Sequence, residues 1–444
     1  MLDMLNNAVT NVTAFVFALG VIIFVHEMGH LVVAKVFRVD AKVFSLGFGK
    51  RLWGFERGGT DYRVSLVPLG GYVQMSGEDP GVVGDDPGEF LNKPRWQRVL
   101  IYLAGPVMNI FLAIVLIAIV FMIGIEVAAP PDLPAVVGSV RPESPAADAG
   151  LTSGDEILSI DAKPMRSWDE VRFAFLTSPE RRLAVEYRRG EEVLTTAVTP
   201  LKVPRYEFGD AGVFPNILPR IAGLVPGDPA ERAGFQVGDE VRVINGKPIA
   251  ARDEFVDTLA ASPGQQLAIE ILRGGTPVEL MVTPEDRGGR GWIGVSLNVL
   301  AFQRYGPIEA VAQSARFNWD VTRQTFSVLG KILSGRLAAK GALSGPIEIG
   351  ALAGAAARTG FPYLINLMGV ISISIAILNL LPIPLLDGGQ ITVLAIESLA
   401  RRDLSLRVKE RINQVGFLLI VMLMAMVLYF DVVKNIPEGI LPGS

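Results

Sequence analysis

Four long apolar segments dominate the hydropathy pattern of the chain. They cover residues 1–33, 99–128, 363–391 and 413–433. A membrane-spanning helix needs about 20 consecutive apolar residues, so the pattern predicts four transmembrane helices. A cleavable signal peptide is the alternative for the first segment. Such peptides begin with positive charge, however, and no Lys or Arg precedes Lys35.

The segment 34–98 is polar and rich in glycine, and it contains short runs in which apolar and polar residues alternate. Alternation with a period of two, interrupted by glycine, is typical of β-strands joined by tight turns. We therefore predict a β-region and a loop on the cytoplasmic side here. Its strands are expected at 41–46, 62–67 and 71–75.

An internal repeat occupies the middle of the chain. The pattern Pro-Ala-x-x-Ala-Gly, followed by Gly-Asp-Glu, begins at Pro145 and again at Pro229. The offset of 84 residues holds without a gap to the Val-Thr-Pro sequence near the end of each copy. Self-similarity of this length indicates two copies of one small domain, which we predict at 131–203 and 207–300.

The repeats resemble PDZ domains, which bind extended peptide ends by adding a strand to a sheet edge. The segments 209–214 and 291–295 are candidates for the carboxylate-binding loops, and a structural hairpin is the alternative for each. The expected fold class is a membrane protein with four transmembrane helices and a membrane-associated β-region. Two α+β PDZ domains are inserted between helices two and three.

The connector 305–362 begins with an amphipathic pattern at 307–333. Apolar residues recur there at helical spacing, and basic residues lie between them. Such a helix can lie on the membrane surface or pack against other domains, and the pattern leaves both alternatives open.

Basic residues are distributed unequally among the predicted loops. The segments 34–98 and 392–412 are rich in Lys and Arg, whereas only Lys434 follows the fourth apolar segment. Positive charge favours the cytoplasmic side of a membrane. We therefore predict that both termini and the repeats lie on the outer side.

Composition narrows the possible chemistry. Half of the residues are apolar, and the net charge of −4 comes without a long basic run, so nothing indicates a nucleic-acid partner. Cysteine is absent, which excludes disulfides, thiolate nucleophiles and cysteine-based zinc sites. A metal site must therefore use His, Asp or Glu.

The sequence HEMGH at 26–30 contains both histidines of the chain and ends an apolar run. Positions i and i+4 share a helix face, so His26 and His30 can bind one metal ion, with Glu27 placed to take a proton from water. Catalytic zinc has three protein ligands, and Asp387 is our candidate for the third. The alternatives are two histidines satisfied inside a helix bundle and, for Asp387, a helix-end cap.

Asn109 and Asn379 are uncharged polar residues within predicted spans. Each could hold a substrate carbonyl or form a bond between helices. Pro382 and Pro384 interrupt the third span just before Asp387. Irregular backbone at membrane depth survives only where it is buried in protein or lines a wet cavity, so we expect a path for water there.

Five motifs together resemble the site-2 protease family, in its regulator-of-sigma-E protease type with tandem PDZ domains. They cover nearly the whole chain: HEMGH at 26–30, GYVQMSGE at 71–78, GPVMN at 105–109, SGPI at 344–347 and NLLPIPLLDGG at 379–389.

The resemblance implies an intramembrane zinc endopeptidase of the bacterial inner membrane, with its termini and PDZ domains on the periplasmic side. Its substrates would be single-span proteins of the anti-sigma-factor type, already trimmed outside, or remnant signal peptides. The PDZ pair would act as a size filter. The implied residues are His26, His30 and Asp387 as Zn²⁺ ligands, Glu27 as general base, Asn379 as the asparagine near the active site, and Gly71, Tyr72 and Val73 in the β-region that pairs with an unwound substrate.

Two other functions fit parts of the sequence. A membrane scaffold whose PDZ pair gathers peptides around a structural metal would have no need of Glu27. An ion or metal transporter would need more charges inside the membrane than the four spans contain. The sequence therefore favours the protease.

Overall fold

The computed structural model describes residues 2–78, 85–127, 133–203, 207–225, 227–249, 252–298 and 301–435. The chain divides into two compact units. The first unit comprises Met1–Ile125, Arg304–Gly330 and Ala342–Ser444, and the second comprises Glu126–Gln303 and Lys331–Gly341.

The first part of the chain forms a long helix, a β-hairpin and a second long helix. The first helix continues three residues beyond its predicted end, because the sequence stays apolar and helix-forming as far as Val36. In chain order the elements are α1 (Leu2–Val36), β1 (Ala41–Arg57), β2 (Thr60–Met75), a short 3₁₀ helix (Phe90–Asn92), α2 (Arg95–Ile123) and β3 (Ile125–Val127).

The β-region contains two long bent strands in place of the three short ones predicted. Residues 43–46 of β1 pair with 61–64 of β2 and also with 71–74 of the same strand, while 53–57 pair with 60–64. This pairing requires each strand to fold back on itself. Gly47, Gly49 and Gly70 all have positive φ and permit these bends. The sheet therefore ends in an outer segment at 71–75.

The second unit is built from the repeats. Its elements are β4 (Val137–Val140), α3 (Pro145–Asp148), β5 (Glu156–Ile160), β6 (Lys163–Pro164), α4 (Trp168–Leu176), β7 (Leu183–Arg189), β8 (Glu192–Val198), β9 (Leu201–Lys202), β10 (Gly209–Asp210), β11 (Val213–Pro215), β12 (Arg220–Leu224), α5 (Pro229–Arg232), β13 (Glu240–Ile244), β14 (Lys247–Pro248), α6 (Arg252–Ala260), β15 (Leu267–Arg273), β16 (Thr276–Val282), β17 (Glu285–Asp286), β18 (Gly291–Trp292) and β19 (Val295–Asn298).

The two copies have the same local structure. The elements α3 to β8 recur as α5, β13, β14, α6, β15 and β16 at the 84-residue offset seen in the sequence. An ion pair between a buried aspartate and a partly exposed arginine recurs with them: Arg189 bonds to Asp155 at 2.8 Å in the first copy, and Arg273 bonds to Asp239 at 2.8 Å in the second. Each copy also has its own hydrophobic core.

The boundary between the copies lies later than predicted. Strand β11 pairs with β4 of the first copy, whereas β12 pairs with β19 at the end of the second. The predicted limits 131–203 and 207–300 therefore leave one strand of the first copy in the second. Local repetition stops before this strand, so the sequence pattern did not show where it pairs.

The rest of the chain is mainly helical. Its elements are β20 (Ala301–Gln303), α7 (Pro307–Leu333), α8 (Ala339–Ala342), α9 (Pro346–Thr359), α10 (Phe361–Leu380), α11 (Asp387–Ala400) and α12 (Leu406–Asn435). One face of α7 packs on α2, where the Ser314 hydroxyl donates to the Ile114 carbonyl at 2.7 Å. Trp319 of α7 stays 69% exposed, so packing accounts for only part of the predicted amphipathic helix.

Among the residues that the structure describes, four helices are long and apolar enough to cross a membrane, as predicted: Asn6–Val36, Arg95–Ile123, Phe361–Leu380 and Leu406–Lys434. The third is shorter than expected. It ends at Leu380, and a separate helix, α11, begins at Asp387. The reason lies in Pro382 and Pro384, which have no backbone N–H to donate and clash with a continuing helix.

The helices of the first unit pack through small residues. Ala14 and Ala18 of α1 are buried in one cluster with Ala353 of α9 and with Leu364 and Met368 of α10. Small side chains let helix backbones approach closely, which is how helices associate where lipid removes the hydrophobic driving force. This packing holds α1, and the HEMGH motif within it, against α9 and α10.

Candidate metal centre

The three predicted metal ligands lie together. Nε2 of His26 is 3.2 Å from Nε2 of His30 and 3.2 Å from Oδ2 of Asp387. Nε2 of His30 is 3.5 Å from Oδ1 of Asp387. Both histidines are buried, and the Asp387 side chain is 15% exposed. The structure thus brings together the imidazole pair of α1 and the carboxylate of α11.

The spacing of these atoms fits a tetrahedral zinc ion. Zinc bonds to imidazole nitrogen and carboxylate oxygen are about 2.0–2.2 Å long, which places neighbouring tetrahedral ligand atoms about 3.3–3.6 Å apart. The separations of 3.2, 3.2 and 3.5 Å are close to that range. Two imidazoles and one carboxylate also form a donor set that catalytic zinc uses, with a fourth position left for water.

A backbone carbonyl of α2 orients His30. Nδ1 of His30 lies 2.8 Å from the Ile101 carbonyl oxygen. A carbonyl only accepts hydrogen bonds, so Nδ1 must carry the proton and donate it. Nε2 of a neutral His30 is then free of hydrogen and available to a metal.

Gly105 makes room for the imidazole pair. A Cβ atom at this position would lie 2.3 Å from Nε2 of His30 and 2.8 Å from Cε1 of His26. Gly29 has a related role between the helices, since a Cβ there would lie 2.5 Å from the Ala104 carbonyl oxygen. The glycines therefore permit α1 and α2 to approach closely at the depth of the histidines.

The break between α10 and α11 positions Asp387. Leu385 has a φ of 76°, and a Cβ on Gly388 or Gly389 would lie within 2.3 Å of a backbone oxygen of the preceding turn. The two glycines thus allow the 381–386 segment to fold tightly back on α11. Asp387 is the first residue of α11.

Glu27 lies between the imidazole pair and the β-region. It interacts with the backbone of Val73, and a Cβ on Gly71 would lie 3.0 Å from its Cγ. The outer segment of β2 therefore runs directly past Glu27. A carboxylate in this place can take a proton from a water held at the metal position.

One cavity of 690 Å³ contains the site. Its wall includes His26, Glu27, His30 and Asp387, together with the predicted substrate contacts Gly71, Tyr72, Val73 and Asn379. The side-chain nitrogen of Asn379 lies 3.4 Å from Nε2 of His26. These eight residues share one chamber, which has room for an extended peptide segment.

Asn109 has a different position from the other predicted substrate contacts. It is fully buried, and its amide nitrogen lies 3.2 Å from Nδ1 of His26. Its backbone carbonyl accepts a hydrogen bond of 2.8 Å from the Ser372 hydroxyl of α10. The amide therefore faces a histidine and has no exposed surface to offer a substrate.

Comparison with known proteins identifies the family. The model of peptidase family M50 matches residues 14–423. The chain is 35% identical to protease RseP of Yersinia pestis and 33% identical to the regulator of sigma-E protease RseP of Escherichia coli K12; each alignment covers 95% of this chain and 98% of the relative. It is 32% identical to a putative zinc metalloprotease of Vibrio cholerae, with the same two coverages.

The chain belongs to peptidase family M50. It is a zinc metalloprotease of the intramembrane type, and with its apolar helices it is a multi-pass protein of the inner membrane. The matches to family M50 and to the RseP proteins confirm the resemblance found from the motifs, apart from its tandem PDZ domains, and favour the enzyme over the scaffold and the transporter. No metal ligand or base is assigned by the comparisons themselves.

The sequence did not single out two further carboxylates in the wall of the cavity, Glu397 and Glu78. Glu397 is fully buried there, and its Oε1 accepts from Lys409 at 2.8 Å and from the Leu404 N–H at 2.9 Å. Glu78 also lines the wall, and burial raises its pKa. A carboxylate between apolar residues, as in the sequence VLAIESLA around Glu397, is the signal that would have drawn attention to it.

Proposed function

We propose that this M50 protease holds zinc through His26, His30 and Asp387 and hydrolyses peptide bonds within the transmembrane segments of other proteins. The observation that carries the proposal is the triangle of two imidazole nitrogens and a carboxylate, with edges of 3.2–3.5 Å, beside the carboxylate of Glu27. When bound, zinc supplies Lewis acidity that lowers the pKa of a coordinated water towards about 7 and polarises a carbonyl.

Glu27 acts as the general base. Its carboxylate takes a proton from the attacking water and later passes it to the nitrogen of the leaving amine. His26 and His30 keep their Nε2 atoms directed to the metal position. Asn379, 3.4 Å from Nε2 of His26, is placed to donate its amide N–H to the oxygen of the reacting carbonyl.

The outer segment of β2 binds the substrate backbone. A transmembrane helix hides its carbonyls in internal hydrogen bonds, so it must unwind before cleavage. The unwound segment then pairs with 71–73, because an extended peptide added to a sheet edge regains its lost hydrogen bonds. Glu27 interacts with the backbone of Val73, so this pairing delivers the scissile bond to the base.

The repeats act as two PDZ domains that screen substrates outside the cytoplasm. Strand β19 is at the edge of its sheet, in the order β16-β15-β13-β12-β19, which suits the addition of a peptide strand. Gly212 and Gly294 have φ values of 75° and 77° directly before β11 and β19, within the two candidate carboxylate-binding segments 209–214 and 291–295. The termini and the repeats lie on the periplasmic side and the metal towards the cytoplasm.

The substrates are single-span membrane proteins of the regulatory kind. Several relatives are named for sigma-E regulation, and this chain covers 98% of their length. An anti-sigma-factor-type protein, trimmed outside the membrane, is therefore the proposed class, and remnant signal peptides are a second class. The lipid bilayer is the medium in which both reach the cavity.

The test compares the purified wild type with Glu27→Gln in detergent. We expect the variant to bind one zinc per chain, to melt at the wild-type temperature and to lose at least 99% of its cleavage of a labelled single-span peptide, since general-base catalysis contributes about 10²–10⁴-fold. Cleavage that persists in the zinc-loaded variant at the wild-type rate would rule out this role of Glu27. Absence of zinc from the wild type would rule out the metal site.

A further inference from the structure

One face of α2 surrounds the imidazole pair. Ile101, Gly105 and Asn109 recur every fourth residue, so they lie on one face of the helix. Ile101 accepts from His30, Gly105 leaves space for both rings, and Asn109 faces His26. Ile101 and Asn109 thus each contact the Nδ1 atom of one histidine, which is the ring nitrogen turned away from the metal position.

The metal position decides where the proton of His26 must be. Nε2 of His26 is the atom that faces His30 and Asp387, at 3.2 Å from each. A neutral imidazole has one N–H, and a nitrogen that binds a metal must be bare. The proton of a zinc-bound His26 is therefore on Nδ1, which needs an acceptor in this buried place.

Asn109 supplies the group next to that proton. Its amide nitrogen is 3.2 Å from Nδ1, while its oxygen, Oδ1, is buried and receives no hydrogen bond from the residues that the structure describes. The oxygen and nitrogen of an amide have nearly the same shape, so the hydrogen-bond network decides between the two orientations. A half-turn about χ2 directs Oδ1 to the proton of Nδ1.

We propose that Asn109 is a positioning residue, whose Oδ1 accepts the Nδ1 proton of His26 and keeps Nε2 bare for zinc. The inference rests on the proposed zinc site. It gives His26 the partner that the Ile101 carbonyl gives His30. It also gives Asn109 a role in place of the substrate contact expected from the sequence.

The anchoring of Asn109 supports this role. Its backbone carbonyl accepts from Ser372 of α10, and both residues are fully buried. The turn of α2 that carries the amide is therefore fixed against a neighbouring helix. Partners of metal-bound histidines in such positions contribute about 10–100-fold to metal affinity.

Zinc affinity is the first measurement. We expect Asn109→Leu, which has a similar shape and no acceptor, to weaken zinc binding about 10–100-fold in competition with a chelator. Asn109→Asp keeps an acceptor and should bind zinc within about threefold of the wild type or more tightly. Asn318→Leu is the matched control, because it makes the same substitution at a buried asparagine of α7 whose amide nitrogen donates to the Ser314 carbonyl at 2.8 Å, and it should retain wild-type affinity.

The protonated nitrogen can also be observed directly, because the chain has only two histidines. In zinc-loaded protein with ¹⁵N-labelled histidine, long-range ¹H–¹⁵N spectra should show both rings protonated at Nδ1. The Nδ1 proton of His26 should exchange slowly in the wild type and rapidly in Asn109→Leu. This readout compares variants that still bind zinc, so it does not depend on cleavage.

Two results would overturn the inference. One is a zinc affinity of Asn109→Leu within twofold of the wild type, with rapid exchange of the His26 proton in both. The other is an equal loss in the Leu and Asp variants, which would assign the effect to packing. Melting of each metal-free variant separates misfolding from weak binding. A wild type that binds no zinc would instead contradict the proposed function.

Discussion

Oδ2 of Asp387 lies 3.2 Å from Nε2 of His26, although the two residues belong to helices at opposite ends of the chain. The contact depends on the fold, since the break after α10 must place the first residue of α11 beside the histidines of α1. The carboxylate also brings a negative charge to a buried pair of imidazoles. Removal of this charge should therefore lower the affinity for the metal more than it lowers the stability of the fold.

Asp387→Asn tests that relationship. The amide keeps the shape of the carboxylate and loses its charge, so we expect zinc affinity to fall by more than about a hundredfold, beyond the 10–100-fold typical of outer partners. Zinc per chain after dialysis against a weak chelator is the measurement. A variant that retains stoichiometric zinc under these conditions would remove Asp387 from the ligand set.

Gly105→Ala tests the space around the histidines. The added methyl group would lie 2.3 Å from Nε2 of His30, so the ring must move and zinc binding and cleavage should both be lost. Gly20→Ala is the matched control, because a Cβ at Gly20 meets nothing within 4 Å. Gly20→Ala should keep both zinc binding and cleavage, because alanine also favours a helix by about 1 kcal/mol over glycine. Equal behaviour of the two variants would contradict the close contact seen at Gly105.

The ion pair between the buried carboxylate of Asp239 and the partly exposed Arg273 should stabilise the second repeat. Asp239 is 1% exposed at its side chain and bonds to Arg273. Arg273→Leu removes the charged partner of this carboxylate and leaves it one hydrogen bond of 2.8 Å from the Gln236 N–H, which should cost about 2–3 kcal/mol. Hydrogen exchange of β13 and β15 in the full-length protein should rise accordingly, by about a hundredfold.

An exposed pair in the first repeat gives the control for that measurement. Arg188 and Glu156 are 47% and 44% exposed at their side chains, so Arg188→Leu should change stability by less than about 1 kcal/mol. If the amides of β13 and β15 exchanged no faster in Arg273→Leu than in Arg188→Leu, the pairing of buried Asp239 would not contribute the predicted free energy.

The ion pair between Arg95 and Asp403 should make stability depend on pH. The hydrogen bond from Arg95 lowers the pKa of Asp403, so its contribution is present above the ordinary carboxyl pKa and is lost as pH falls through the lowered value. Asp403 is 67% exposed, and solvent screening keeps the contribution below about 1 kcal/mol.

Melting temperatures of the wild type and Asp403→Asn, measured from pH 3 to 7, test this dependence. The variant should melt slightly lower at neutral pH, and the difference should vanish at the acid end and in 1 M salt. Arg95→Gln should reproduce the loss at neutral pH. A difference that stays constant across the pH range would show that the charge of Asp403 does not cause it.

The sequence by itself determined the four spans, the 84-residue repeat and the metal-binding residue types. These features are local: a helix needs only consecutive apolar residues to cross lipid, and two copies of a domain repeat their pattern wherever they lie. The absence of cysteine further limited the metal ligands to His, Asp and Glu. Local rules and composition were sufficient for this much.

Only the tertiary structure decided which distant groups meet. The pairing of β11 with the first repeat depends on a strand order that the repeat pattern does not contain. Likewise, Asn109 could equally have faced a substrate, a lipid or another helix, until the packing of α2 on α1 placed its amide 3.2 Å from His26. The sequence determines the chemistry of each side chain, but the partner of a buried polar group depends on how separate helices pack.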